Sequence, residues 1–459
     1  MENILHYIWE HKIFPLSEMK TTDGRVLEVI SPGMHNSDSG PDFFNAKIRL
    51  GGVEWVGNVE IHTKSSDWFL HHHHMDAAYD NVILHVVGSA EPCNAVAQRK
   101  NLPPAEFVLP VPEYVLDNFD SLLRSDTLPR CSEIIGSEHI SPLMIHSWLS
   151  VLQVERLAQK TLQIQQRLAR LSSNWEDTLF VTLARSFGFG INSEAFERWA
   201  MSFQPSRTVA KHRDSLLSTE AFFFGQAGLL EDDAIQHVYR DNAAMDTYLH
   251  QLRMEYRFLR NKFSLTPVPH TLWRLMRSRP QNFPHIRLAQ LAMLYHEQKV
   301  SLSSLLNAAE QQKIGSREQV AGSKAFYDLL DTHVSPYWKT HYTFASTESE
   351  EIEKSLSNAS KDIIIINAFV PMLFAYGRGR GDEALCERAT EILEHIKPED
   401  NAFVRRWQEA GVKCESAADS QAIVQLTKEY CNARKCLQCR FGGEYISRKP
   451  DFLCEETEK

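Results

Sequence analysis

Apolar residues change their periodicity once along this chain, near Cys131, and that change restricts the folds open to it. Before this point the chain has runs of β-branched or alternating apolar residues, typical of strands, at residues 25–31, 43–51, 53–65, 81–88 and 105–111. After it, apolar residues recur at helical spacing almost to the end of the chain, beginning with residues 141–171. The sequence therefore predicts a mixed α+β fold, in which a small α/β domain precedes a large all-α domain.

The strands of the first domain are expected to lie between helices. A helix over residues 2–13 precedes three strands, a short helix falls within residues 67–80, and further strands follow. Gly51 and Gly52 separate two strand-like runs and predict a tight hairpin turn. This order predicts an α/β sandwich. The expected domains are residues 1–130, 140–345 and 346–459, with a boundary in the polar run 346–362.

Length, charge and cysteine content narrow the class of protein. A chain of 459 residues is long enough for about two to four domains. Its net charge of −10 argues against a generally basic nucleic-acid-binding surface, although a local basic cleft stays compatible with it. Eight cysteines in so long a chain are not a secreted disulfide framework, and the first residues lack the basic region of a signal peptide. A cytoplasmic protein with reduced thiols is expected.

One stretch, residues 363–377, is apolar on all sides. A membrane-spanning helix needs roughly 18–20 consecutive apolar residues, and this run is shorter. The sequence therefore predicts a buried helix here and no membrane partner.

Glu60, His62 and Lys64 alternate along one predicted strand. Side chains two residues apart on a strand point to the same face, so these three are expected to lie in a row. The hairpin turn brings Asp42, which opens the preceding strand, near Glu60. Two carboxylates beside a nitrogen base can bind Mg²⁺ or Mn²⁺, and such an ion activates water and neutralises the charge of a phosphodiester. The sequence predicts a divalent-metal site at Asp42 and Glu60, with His62 or Lys64 as the base or positive charge.

The run Gly40-Pro41-Asp42, the hairpin and Glu60 on the next strand together resemble the core of the PD-(D/E)xK nuclease-like superfamily. The resemblance implies a restriction-endonuclease-like first domain that acts as a Mg²⁺-dependent phosphodiesterase on DNA or RNA. It implies Asp42 and Glu60 as metal ligands, and Glu10 as a helix-borne acid of the kind found in some members.

The chain departs from that superfamily at its lysine. In members of the superfamily, the lysine lies two residues after the acid. This chain has His62 at that position, and Lys64 lies one step further along the same face. Either His62 or Lys64 replaces it, or the domain is a catalytically inactive scaffold that binds nucleic acid or protein partners. The acidic net charge favours the scaffold. A purely structural role is a further alternative, with Glu60 paired to Lys64 or Arg49 across the sheet.

Motifs spread over almost the whole chain carry a second resemblance. They look like a bacterial family of full-length proteins that is catalogued only as a domain of unknown function. The motifs are GPDFFNAKI, GNVEIHTKSSDW, AAYDNVILHVV, EAFFFGQAGLL, RSRPQNFPHIRLAQLA and CNARKCLQCRFG. This resemblance implies no activity, so a function has to be inferred from the site.

Four adjacent histidines, residues 71–74, follow the strand that carries Glu60. On a helix they would spread over every face, so at most two of them are expected to line one site. A zinc hydrolase site that uses His72 or His74 is a third hypothesis, which the lack of an HExxH motif disfavours. His85 lies on an apolar strand and is expected to be a core or rim residue with its polar atoms satisfied.

Cys431, Cys436 and Cys439 lie close together near the end of the sequence. Two thiolates at the spacing of Cys436 and Cys439 can approach one metal ion from a tight turn. A closed site needs a fourth ligand, for which the candidates are Cys131, Cys414 and Cys454. A zinc ion is predicted in preference to an iron–sulfur cluster, and free buried thiols are the alternative.

A basic segment of the helical part has arginines among aromatic residues. The arginines are Arg274, Arg277, Arg279 and Arg287. Basic residues beside aromatic ones can bind phosphates and stack on bases, so these are candidate contacts to DNA or RNA. The alternative is a proline-broken helix junction in which the arginines cap carbonyls or pair with acids. The sequence carries no signal for an oligomeric state.

Overall fold

The computed structural model describes most of the chain, as two compact units. The described residues are 2–14, 19–36, 38–91, 104–137, 140–235, 243–275, 279–311, 319–344, 346 and 348–449. The first unit consists of Met1–His146, Arg406–Val412 and Leu426–Lys459, and the second of Ser147–Arg405 and Lys413–Gln425. The last cysteines therefore belong to the same unit as the N-terminal strands.

The expected third domain, residues 346–459, is divided between these two units. Residues up to 405 stay within the second unit because the apolar helix at residues 358–380 is buried there. The final segment joins the first unit, where the side chain of Asn118 donates hydrogen bonds to the carbonyl oxygens of Ile446 and Arg448 at 3.2 and 2.9 Å. Polar composition alone did not mark a domain boundary.

The first unit contains one mixed sheet. Its strands are β1 (Leu27–Ser31), β2 (Met34–His35), β3 (Phe43–Leu50), β4 (Val53–Lys64), β5 (Val82–Ser89) and β6 (Glu106–Val108). Their order is β1-β3-β4-β5-β6, with β2 also paired to β3. Pairing is antiparallel from β1 to β4 and parallel from β4 to β6. The mixed fold predicted from the sequence is confirmed.

The predicted hairpin between β3 and β4 forms at Gly51 and Gly52. Leu50 pairs with Val53 across the turn, and the two glycines have φ angles of 56° and 87°. A two-residue turn of this hand requires positive φ at both central positions, which glycine adopts without a steric penalty. The turn positions β4 in the middle of the sheet, between β3 and β5.

Helices make up most of the remaining described structure. The α-helices are α1 (Glu2–Glu10), α2 (Asp67–Leu70), α3 (Glu113–Arg124), α4 (Pro142–Arg170), α5 (Trp175–Phe187), α6 (Ser193–Met201), α7 (Leu216–Gln226), α8 (Ala243–Phe263), α9 (Pro284–His296), α10 (Leu302–Glu310), α11 (Gln319–Leu329), α12 (Pro336–Thr340), α13 (Asn358–Ile364), α14 (Val370–Arg380), α15 (Glu383–His395), α16 (Ala402–Glu409), α17 (Ala417–Gln425) and α18 (Arg440–Ser447). Two π-helical segments, Ile365–Phe369 and Leu426–Cys431, continue α13 and α17.

Helix α7 lies at the centre of the second unit. Its three consecutive phenylalanines, Phe222 to Phe224, are fully buried in the main apolar cluster of that unit. A Cβ atom added at Gly225 would lie 2.1 Å from the ring of Tyr256 on α8. Only glycine allows this approach, so the close packing of α7 on α8 depends on Gly225.

The apolar stretch near residue 370 is a core helix. Among the described residues, Asn358–Arg380 has the length and mean hydropathy of a membrane span, and 67% of its apolar window is buried inside the protein. Burial of this kind is typical of a central helix in a folded domain. The expected buried helix is therefore present.

The structure corrects one candidate nucleic-acid contact. Arg287, on α9, is only 5% exposed, and its guanidinium group donates hydrogen bonds to Gln290 and Asn282 at 2.8 and 2.6 Å. A buried guanidinium bonded within the helical core cannot reach a phosphate. Arg274 and Arg279 are exposed, and Arg277 lies outside the described residues.

Glu220 is a buried acid in the second unit. Its side chain accepts hydrogen bonds from Ser335 at 2.8 Å and from Tyr248 at 2.9 Å, and the residue is 2% exposed. Burial raises the pKa of Glu220 to about 7, and the two hydrogen bonds only partly offset that increase. The folded protein therefore holds a proton here that the unfolded chain releases at lower pH.

Replacing Glu220 with glutamine should change how stability depends on pH. Between the unfolded pKa near 4.5 and the folded pKa near 7, the wild-type folded state holds the proton and the unfolded state has lost it. As pH rises through this range, Glu220 lowers the free energy of unfolding of the wild type by about 1.4 kcal/mol per pH unit. The glutamine variant does not titrate here and lacks that loss. Urea unfolding at pH 5, 6 and 7 should show that the free energy of unfolding of the variant increases relative to that of the wild type as pH rises. A pH-independent difference would contradict the assignment.

Candidate metal centre in the first unit

Two residues of the site lie on β4, the central strand. Glu60 and His62 are 4% and 1% exposed, so both are buried despite their polarity. The alternating residues Val59 and Ile61 are fully buried in the core. Buried polar groups need partners, because each loses its hydration on folding. Those partners come mainly from the histidine run that follows α2.

His71 and His73 face β4, and His72 between them is exposed. The backbone of His72 adopts a left-handed conformation with φ of 62°, which reverses the chain after α2. This local turn replaces the helix expected over the four histidines. One ring nitrogen of each of His62, His71 and His73 lies within 4.8 Å of the other two.

Glu60 lies next to two of these histidines. Its Oε1 atom lies 3.1 Å from His73 Nε2 and 3.5 Å from His62 Nε2, and His62 Nε2 lies 3.1 Å from His71 Nδ1. Four ligands around a tetrahedral ion, each at about 2.0–2.1 Å, are about 3.4 Å from one another. The three measured separations are close to that value, and the ligand atoms that all lie within 4.8 Å of one another are those of His62, His71 and His73. The donor set of three imidazoles and one carboxylate suits Zn²⁺ or Mn²⁺.

His85 and Glu106 determine which nitrogen of His62 faces the cluster. His85 Nδ1 lies 3.3 Å from Glu106 Oε2, and His85 Nε2 lies 2.9 Å from His62 Nδ1. A carboxylate accepts hydrogen bonds, so His85 carries its proton on Nδ1 and accepts at Nε2 from His62 Nδ1. The lone pair of His62 Nε2 is thereby directed at the cluster. Carboxylate–histidine chains of this kind commonly orient metal ligands.

Asp42 lies beside the cluster and holds Glu60 in place. Its backbone N–H donates to Glu60 Oε2 at 3.1 Å, and its Oδ2 accepts from the backbone N–H of Ile61 at 2.8 Å. His6 Nε2, on α1, lies 3.4 Å from the same Oδ2. Burial raises the pKa of Asp42, but the contact with His6 outweighs it, so the pKa lies below its usual range. Asp42 is therefore ionised.

The electrostatics of the cluster favour a bound cation. Burial, together with the nearby charge of Asp42, raises the pKa of Glu60 to about 9. Burial and the neighbouring histidines lower the pKa of His62 to about 3 and that of His73 to about 4. Both imidazoles are therefore neutral at pH 7 and have lone pairs for a metal. A bound cation would make ionisation of Glu60 favourable, because it would take the place of the proton that the carboxyl group otherwise holds.

The cluster has an open side. His71 is exposed, and the half-buried ring of Tyr79 packs on His73 with ring centroids 3.9 Å apart. Burial and the nearby charges of Glu60 and Asp42 raise the pKa of Tyr79 to about 12, so its phenol keeps its proton. Structural metal sites are closed, whereas catalytic ones keep a position open to water or substrate. Among the three histidines of the cluster, His71 is the exposed one.

The structure separates the predicted site residues. Asp42, Glu60 and His62 come together, whereas Lys64 has a side chain 59% exposed and an ammonium group 3.7 Å from Glu91. Lys64 thus leaves the cluster at the end of β4, although strand alternation puts it on the same face. Glu10, the helix-borne acid implied by the resemblance, is exposed.

Sequence reasoning missed His6 and Glu106 and did not choose among the four histidines. His6 lies on the buried face of α1, one turn after Glu2, a pattern that the helical spacing of the first residues could have revealed. Glu106 is brought to His85 by the pairing of β6 with β5. That pairing joins strands separated by a long connection, so no local signal marks it.

Replacing Glu106 with glutamine should weaken metal binding without unfolding the sheet. The amide cannot fix the His85 tautomer as a carboxylate does, so His62 loses its orientation. Changes at groups that orient ligands commonly cost about 10–100-fold in metal affinity. Metal titrations by calorimetry should show that loss. The matched control is Glu28→Gln on β1, which exchanges an exposed carboxylate at the opposite edge of the sheet and should leave affinity unchanged.

Comparison with known proteins gives a family and no activity. Residues 2–402 match the model of a family described as Protein of unknown function (DUF2851). No curated protein and no solved structure matches the chain. The matched residues include every member of the histidine cluster and stop before Cys431.

Proposed function

The chain belongs to this family of unknown function, and we propose from its site that it is a metal-dependent phosphodiesterase. The observation that carries the proposal is the convergence of His62, His71 and His73, whose ligand atoms lie within 4.8 Å of one another, beside the carboxylate of Glu60. These four residues would hold the ion. The set is richer in imidazole than the Asp42 and Glu60 pair expected from the sequence, so Zn²⁺ or Mn²⁺ suits it better than Mg²⁺.

The chemistry follows from the residues around the opening. Held by Glu60, His62, His71 and His73, a divalent ion would supply a more acidic water and would offset the charge of a phosphodiester. Asp42, ionised and anchored by Ile61 and His6, is placed to accept a proton. Tyr79, which keeps its proton, can donate a hydrogen bond to substrate at the rim.

The substrate class rests on the resemblance of Gly40-Pro41-Asp42 and Glu60 to the PD-(D/E)xK nuclease-like superfamily. That resemblance supports a nucleic acid, DNA or RNA, as substrate. The position of Lys64 beside Glu91 supports the alternative, a scaffold that kept the fold and binds nucleic acid or protein without cleaving it. The two alternatives differ in turnover.

The test is metal-dependent turnover by the full chain. Protein stripped with a chelator is reloaded separately with Zn²⁺, Mn²⁺ and Mg²⁺ and assayed on bis(4-nitrophenyl) phosphate and on labelled single- and double-stranded DNA and RNA. We expect turnover with Mn²⁺ or Zn²⁺, and a weaker response to Mg²⁺. 4-Nitrophenyl acetate serves as the control for nonspecific ester hydrolysis. Binding of nucleic acid without cleavage under all three metals would select the inactive scaffold.

A further inference from the structure

Four cysteines of the first unit converge from distant parts of the chain. Cys131 precedes the single-turn helix Ser132–Ile134, Cys431 ends the π-helical segment after α17, Cys436 begins the turn Cys436–Gln438, and Cys439 caps α18. They are 4%, 8%, 7% and 6% exposed, so all four are buried. Of the fourth-ligand candidates named from the sequence, Cys131 lies with the C-terminal three, Cys414 belongs to the second unit, and Cys454 lies outside the described residues.

The four thiols line one small cavity. Its volume is about 10 Å³, and its other walls are Leu122, Arg130, Tyr430 and Gly442. A space of roughly 10–15 Å³ on this measure holds one water-sized particle. The cavity therefore has room for a single ion.

The surrounding backbone is built tightly around these cysteines. A Cβ atom at Gly442 would lie 2.2 Å from the carbonyl oxygen of Cys436, so a side chain cannot be placed there. The backbone N–H of Gly443 donates to the Cys439 carbonyl at 2.8 Å, and Arg130 Nε donates to the Cys431 carbonyl at 3.3 Å. These contacts hold the cysteine backbones in one arrangement.

Arg130 adds a positive charge to the cavity wall. Its Nη1 atom is buried and has no hydrogen-bond partner in the described structure. A buried cation without a full set of partners beside four thiols is costly when the thiols are neutral. The cost falls when the thiols carry negative charge.

We propose that Cys131, Cys431, Cys436 and Cys439 bind one Zn²⁺ ion in a closed structural site. Four thiolates complete a tetrahedral shell and leave no position for water, as in structural zinc sites. Binding releases one proton from each thiol and leaves a ZnS₄ centre of charge −2, which Arg130 partly offsets. The site links Cys131 to the C-terminal segment, about three hundred residues later in the chain, and so fastens that segment to the first unit.

The four-thiol arrangement goes beyond the proposed function and can be tested separately from it. Protein loaded with Co²⁺ in place of Zn²⁺ should show an intense near-ultraviolet thiolate-to-cobalt charge-transfer band. The histidine and carboxylate ligands of the first site cannot produce that band, so the readout needs no catalytic activity. Absence of the band in fully loaded wild-type protein would overturn the proposal without any substitution.

Substitutions sharpen the assignment. Cys436→Ser should remove the charge-transfer band and one equivalent of bound zinc per chain. Cys414→Ser, at a similarly buried cysteine of the second unit, is the matched control and should change neither. A band that survives Cys436→Ser would overturn the ligand set. Wild-type protein that contains iron and acid-labile sulfide in stoichiometric amounts would overturn the choice of a single zinc ion.

Discussion

Replacing His73 with asparagine should remove the metal ion from the N-terminal cluster, whereas the same replacement at the neighbouring His72 should leave it bound. His73 Nε2 lies 3.1 Å from Glu60 Oε1 inside the cluster, and His72 is exposed. Loss of a direct ligand should cost more than the roughly 100-fold upper end of changes at orienting residues. If the proposed phosphodiesterase activity is present, it should fall by at least the same factor.

The pair is matched in chemistry, and the control position tolerates asparagine. His72 has a φ of 62°, a conformation that asparagine tolerates better than most residues, so His72→Asn should fold normally. Metal content by mass spectrometry and turnover are measured together on both variants. Equal metal content and equal turnover in His72→Asn and His73→Asn would remove the histidine cluster from consideration. The thiolate-to-cobalt band should be unchanged in both, which separates this site from the cysteine site.

The fold was predictable from the sequence because it depends on short-range patterns. Period-two apolar runs marked the strands, helical spacing marked the second unit, and Gly51–Gly52 marked the hairpin that pairs β3 with β4. Each of these signals lies within about a dozen residues. The division into units was less predictable, because the C-terminal segment rejoins the first unit through contacts such as those of Asn118 with Ile446 and Arg448.

The candidate site was predictable only in part. Strand alternation grouped Glu60 with His62, and that grouping is present in the structure. It failed for Lys64, because facing the same side does not place a residue within reach when the strand extends past the cluster to Glu91. The pairing of His71 with His73 depends on one left-handed residue, His72, where helical geometry was expected. Such a reversal cannot be read from four identical residues.

Arg287→Ala in the second unit should destabilise the protein by about 3–5 kcal/mol. The guanidinium is buried, stacks over the ring of Phe189 with a distance of 4.3 Å to the centroid, and donates to Gln290 and Asn282. Its removal leaves a cavity and takes the donor from the buried side-chain oxygen of Gln290, and losses of this kind commonly cost this much. Burial also lowers the pKa of Arg287 to about 10, consistent with a cation held out of water. Urea unfolding of the full chain measures the loss.

The exposed arginines provide the contrast that separates structure from nucleic-acid binding. Arg274→Ala combined with Arg279→Ala removes two surface cations, and stability should change by less than about 0.5 kcal/mol for each. If these two residues contact phosphates, affinity for double-stranded DNA should fall and the slope of log affinity against log salt should decrease by about 2. Fluorescence anisotropy at several salt concentrations measures both quantities. If the arginines contacted phosphates, the variant would release fewer counterions on binding and its salt slope would be smaller. An unchanged salt slope would therefore show that this basic segment is a helix junction. For Arg287→Ala, a small loss of stability would contradict the prediction. It would mean that the guanidinium group reaches solvent, although Arg287 is only 5% exposed in the folded protein.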